Sequence, residues 1–182
     1  MRFFSVAVAF IAAAAVQCHP VRRDAGPIIS AMDEISAQIT TLRDKLSGFN
    51  GGLTGTITAL EIHAQALKLA GIINDAADAA QDSDPLDEND SAQVANGVTG
   101  LQPQIFGVLD DIIAKKPAFD KAILGVLSAR LLVKADLELL RGNTADFGAA
   151  VTEKLSPEFA KLAPLLLANI DAHFRQAVNV YS

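Results

Sequence analysis

The chain has 182 residues, 51% of them hydrophobic and 5% aromatic, with no Trp and a single Cys. This length fits one domain with a real core, and the apolar fraction is too high for a disordered chain. One Cys excludes an internal disulfide framework. The formal charge of −6 argues against nucleic acid and anionic membrane surfaces as partners. Abundant Ala and Leu with almost no Tyr or Trp favour an all-α fold.

Residues 1–18 read as a secretory signal peptide. Arg2 supplies the positive end, Phe3 to Val16 the apolar run, and cleavage is expected before His19, with Ala12–Ala15 as a competing site. Residues 19–26 form a charged N-terminus in which Arg22-Arg23 is a candidate dibasic processing site. Without Arg2, Arg22 and Arg23 the remainder carries 12 basic against 21 acidic residues, a net −9. The domain proper spans 27–182. Asn89-Asp90-Ser91 is a sequon in its most polar stretch, a candidate glycosylation site if the chain is secreted. Ala177 to Ser182 lacks the apolar tail of a GPI signal.

The first helix is predicted from Pro27 to Ser47. Its apolar positions Ile28, Met32, Ile35, Ile39, Leu42 and Leu46 alternate steps of four and three, and Gly48, Gly51 and Gly52 end it. The second runs from about Thr54 to Ala80 with two apolar stripes, Ile57-Leu60-Ala64-Leu67-Gly71 and Ile62-Ala66-Leu69-Ile73, and is expected to be central. Gln81 to Asp90 reads as an acidic, hinge-like connection. It lacks the glycine and bidentate Glu of a calcium loop.

A third helix, Ser91 to Lys115, is capped by Asp90 or Ser91 and carries Pro103 inside its pattern, which predicts a kink or break. The fourth is predicted from Pro117 to Arg141, where Gly142-Asn143 stops it. A short helix from Ala145 to Lys154 follows. The last helix opens at Ser156-Pro157-Glu158 and bends at Pro164. The fold class is therefore an all-α antiparallel bundle of about five main helices plus one short helix, with no strand.

No nucleophile, metal or phosphate-binding motif is present, so the chain reads as a non-enzyme without cofactor or metal. His63 and His173 stand apart from each other and lack an i+4 ligand partner. Arg130 interrupts the apolar stripe of the fourth helix between Val126 and Val133. It is a candidate for holding a ligand carboxylate, unless it snorkels to the edge or pairs with Asp136 or Glu138. The second and fourth helices carry more apolar surface than one seam consumes. Such aliphatic walls would enclose a hydrocarbon-binding cavity or pack as a solid core, and pattern alone does not separate the two.

Several segments in order resemble the fungal hydrophobic surface-binding protein A family, to which cell wall galactomannoprotein antigens belong. They are the Ile-rich stripe ending in Gly-Gly, Leu101-Gln102-Pro103-Gln104-Ile105, Lys115-Lys116-Pro117-Ala118-Phe119, Val133-Lys134-Ala135-Asp136-Leu137, Thr144 with Phe147-Gly148, and Tyr181. The resemblance implies a secreted or cell wall helical bundle that adsorbs to hydrophobic surfaces and binds long-chain fatty acids or other lipids between its helices. On that reading an acyl chain lies among Leu60, Leu67, Leu101, Ile105, Leu109, Leu127, Leu131, Leu166 and Ile170, with Arg130 as the polar candidate. A closed bundle, acting through its outer face as an antigen or as a recruiter of secreted esterases, is the alternative.

Overall fold

The structure, a computed structural model, describes residues 25–52, 55–124 and 127–182, the side chains of 123–128 excepted. The expected leader, the dibasic pair and the start of the second helix at Thr54 lie outside the described residues. Among the described residues five long helices dominate: α1 (Gly26–Ser47), α2 (Gly55–Asp82), α3 (Glu88–Ala114), α5 (Ala129–Lys154) and α7 (Ala163–Val180). Between them stand the short helices α4 (Lys116–Lys121) and α6 (Pro157–Ala160) and one two-residue antiparallel pairing, β1 (Ile123–Leu124) with β2 (Leu127–Ser128).

Cross-helix hydrogen bonds fix the arrangement. Gln38 donates from Nε2 to Gln65 Oε1 at 2.8 Å, and Lys45 bonds Glu61, so α1 and α2 are antiparallel. His63 meets Asp136 and Asn143 donates to the Ala70 carbonyl, so α2 and α5 run in the same direction. Ser36 with Gln104 and Arg43 with Asp111 make α1 and α3 parallel. Arg141 with Asp171 sets α7 antiparallel to α5, while Phe106 on His173 and the Tyr181 hydroxyl on the Ile112 carbonyl set it parallel to α3. Successive long helices alternate in direction, yet their seams form a closed ring, α1–α2–α5–α7–α3. The α2–α5 seam is the most extensive, the two α7 seams are the thinnest, and no pair across the ring packs comparably.

A ring of five has a geometric consequence. At an interaxial spacing of about 9 Å each axis stands roughly 7.7 Å from the centre, against about 6.4 Å in a ring of four. A helix with side chains has a radius of about 5–6 Å, so five helices leave a central bore that only long side chains or a guest can fill. The buried stripes Ile28-Met32-Ile35-Ile39-Leu42-Leu46 of α1 and Ile62-Ala66-Leu69-Ile73 of α2 face inward. Aromatic rings close one end: Phe119 of α4 lies 4.5 Å from Phe49 and edge-on to Tyr181, and all three are buried.

Several expected boundaries require correction. Helix α3 runs unbroken through Pro103, and its cap is Asp87, whose Oδ1 accepts from the Asp90 amide at 2.9 Å. Ser91 is buried and instead accepts from the Ser156 amide, tying α3 to the start of α6. The 81–90 connection is pinned, not loose: Leu86 is buried and donates to the Lys154 carbonyl at 2.7 Å, and Lys154 Nζ reaches the carbonyls of Gln81 and Ser83.

The expected fourth helix is divided into α4 and α5 by the β1–β2 pairing. Gly142-Asn143 does not stop α5, because Leu137, Leu140, Thr144, Phe147 and Val151 carry its inner stripe straight through. At Pro164 the last helix breaks and does not bend: the proline occupies the first turn of α7, where its missing N–H costs nothing. Gly51, at φ 74°, turns the chain after α1 where an added Cβ would lie 2.4 Å from the Ala118 carbonyl oxygen.

Candidate functional site

The bore is realised as a cavity of about 230 Å³ with walls from all five long helices and a cover formed by Leu155, Phe159 and Leu162 around α6. Its lining is almost wholly aliphatic and aromatic. Ile35, Ile39 and Leu42 come from α1, Leu69 and Ile73 from α2, and the largest share from α3 and α5. An apolar cavity of roughly 150 Å³ is already large enough to stay dry and admit a small hydrocarbon.

Among the described residues three threonines belong to this lining, Thr99, Thr144 and Thr152. The hydroxyl of each donates to a carbonyl one turn back on its own helix: Ala95 at 2.8 Å, Leu140 at 2.7 Å and Gly148 at 2.6 Å. Their hydrogens are therefore occupied, and these hydroxyls hold no spare donor for a guest. Gly148 lets Leu167 of α7 lie close against α5, since a Cβ there would meet Leu167 Cδ2 at 2.3 Å.

A second cavity, also of about 230 Å³, opens between α5 and α7. It shares Thr144, Leu167, Ile170 and Phe174 with the bore and adds Arg141 and Asp171. Arg141 Nε donates to Asp171 Oδ1 at 2.5 Å, and Arg175 Nη2 donates to Asp171 Oδ2. The Arg141 bond, with help from Arg175, holds the Asp171 carboxyl below its ordinary 3.8 despite partial burial.

Of the residues expected at the site, Leu101, Ile105, Leu109, Leu166 and Ile170 line the bore together. Leu60 at 48%, Leu67 at 45% and Leu131 at 57% exposed lie on the outside, because the α2 stripe that carries Leu60 and Leu67 turns to solvent while its companion stripe packs inward. Leu127 has no described side chain. Arg130 does not reach the cavity; its Nε donates to the Tyr181 carbonyl at 3.1 Å and its Nη2 to the Ser182 carbonyl, so it neutralises the C-terminal end of α7. Asn89 is exposed in the first turn of α3.

Sequence reasoning missed Arg141, Thr144, Phe174 and Asp171 as site residues. The signal for the first two was the three-four alternation across Gly142-Asn143. It also missed the His63–Asp136 contact, Nδ1 to Oδ1 at 2.8 Å, which depends on the parallel register of α2 and α5. Burial raises the Asp136 carboxyl above its ordinary value, opposed by its bond to His63. The pair lies outside both cavity linings. Among the described residues no cluster of three or more His, Cys, Asp or Glu is placed to hold a metal ion, and no helix is long and apolar enough to cross a membrane.

Comparison with known proteins agrees with this architecture. Cell wall mannoprotein 1 of Aspergillus fumigatus is 27% identical over 161 residues, which cover 88% of this chain and 53% of the relative. Its Aspergillus flavus counterpart is 24% identical over 181 residues, 100% of this chain and 63% of the relative. The chain thus spans only part of the length of these curated relatives. Among solved structures, Afmp4p in complex with palmitic acid superposes with a TM-score of 0.80 at 31% identity, over 87% of this chain and all of that one. Ligand binding domain 2 of the Penicillium marneffei MP1 protein, complexed with multiple arachidonic acids, has the same fold at 19% identity and a TM-score of 0.79, over 89% of this chain and 98% of that one. The profile of the hydrophobic surface binding protein A family matches residues 25–153, well over half of the sequence, and this chain belongs to that family.

Proposed function

We propose that this protein is a secreted, non-catalytic lipid binder that takes a long-chain fatty acid into the bore of its helix ring and adsorbs to hydrophobic surfaces, in the manner of a cell wall mannoprotein. The observation that carries the reading is the aliphatic cavity itself, walled by five helices and, among the described residues, lined by no charged side chain. Its affinity comes from buried methylenes, about 0.8 kcal/mol each before ordering costs. The likeness to a palmitic acid complex supports the choice of guest. The partly solvated Leu60, Leu67 and Leu131 leave apolar area for contact with surfaces outside, and recruitment of a secreted esterase would belong to that outer face. Native mass spectrometry of the protein incubated with palmitic acid is the test. Saturable adducts are expected; an unliganded spectrum at every ratio would remove the reading.

A further inference from the structure

A fatty acid presents two chemistries, a hydrocarbon tail and a carboxylate, and the bore answers only the first. A carboxylate accepts hydrogen bonds and donates none. The hydroxyls of the lining threonines Thr99, Thr144 and Thr152 have already committed their hydrogens to helix carbonyls, so they cannot bond it without giving up those contacts. Among the described residues that line the two cavities, one carries a positive charge: Arg141, in the side mouth between α5 and α7. It bonds Asp171 through Nε alone, which leaves the donors of both Nη groups for a second acceptor.

The charge count favours an anion there. Asp171 is held by two guanidinium groups, Arg141 and Arg175, so the trio carries one positive charge in excess. Position agrees with charge. Thr144 stands within one turn of Arg141 on α5, and Ile170 precedes Asp171 on α7; both line the bore and the mouth alike. A chain whose head lies at Arg141 can pass between these shared walls into the apolar interior.

Resting on the reading of the bore as an acyl site, we infer that Arg141 receives the ligand's carboxylate in the mouth between α5 and α7 and makes the protein selective for free fatty acids over neutral lipids of the same length. Asp171 is the positioning residue: it holds the guanidinium against α7 and yields no donor of its own.

Calorimetric titration of the full chain with palmitic acid and with 1-hexadecanol tests this, using the wild type, Arg141→Gln and Arg141→Lys. The wild type is expected to bind the acid roughly ten-fold more tightly than the alcohol, the yield of one partly solvated charge-assisted pair. R141Q is expected to bind both alike, with affinity for the alcohol retained, and R141K to recover part of the preference. Comparing acid with alcohol within each protein cancels any general loosening of the α5–α7 seam. Equal binding of acid and alcohol by the wild type, or a preference unchanged in R141Q, overturns the role of Arg141 and leaves the bore intact. Binding of neither by the wild type overturns both.

Discussion

Asp171 shows how one side chain ties a thin seam to the rest of the ring. The α7 helix packs less extensively than its neighbours, and the pair with Arg141 crosses its junction with α5. Because the folded protein holds this carboxyl below 3.8, its contribution to stability is fully present above that value and is lost as pH falls through the lowered one. Urea unfolding of the wild type and Asp171→Asn should therefore differ at about pH 6 and converge as acidification protonates the folded-state carboxyl. Arg130 makes the complementary point. Its place in an apolar stripe was legible, but its partners, the carbonyls at the end of α7, were set by a helix distant in sequence.

At the scale of elements, periodicity located helices reliably and misjudged where they stop. Gly142-Asn143 is a plausible stop by composition, yet Asn143 uses its side-chain amide on the Ala70 carbonyl, and the inner stripe continues past it. The α2 helix carries two apolar stripes, and nothing local tells which one faces the ring; the parallel seam with α5 decides it. The cover of the bore is thinly packed. Around α6 and the first turn of α7, Leu162 is 63% and Leu165 68% exposed, although Leu162 also borders the cavity. Such a segment opens at low free-energy cost. Hydrogen exchange is expected to be fast over 157–167 in the unliganded protein, slow in the facing parts of α3 and α5, and slowed over 157–167 by palmitic acid. Uniform protection of the two regions would show that this cover is no looser than the walls of the bore.

For the molecule as a whole, the all-α class and the apolar surplus were readable from composition and pattern, whereas the location of the surplus was not. It divides between a bore and an outer face. The bore arises because five helices arranged in a ring cannot meet at the centre, a property of topology that no single stripe encodes. Leu101, Ile105, Leu109, Leu166 and Ile170 line it because α3 and α7 turn those stripes inward, while Leu60, Leu67 and Leu131 contribute to the exterior.

The interior account and the outer-face alternative separate most directly in one comparison, calorimetric uptake of palmitic acid by two variants. Val98→Trp places an indole in the bore from α3, and the triple change L60Q/L67Q/L131Q removes the exposed leucines and leaves the bore alone. The expected result is loss of saturable uptake in V98W and its retention in the triple variant. Retained uptake in a folded V98W together with its loss in the triple variant would contradict an internal site and place the fatty acid on the outside of the ring.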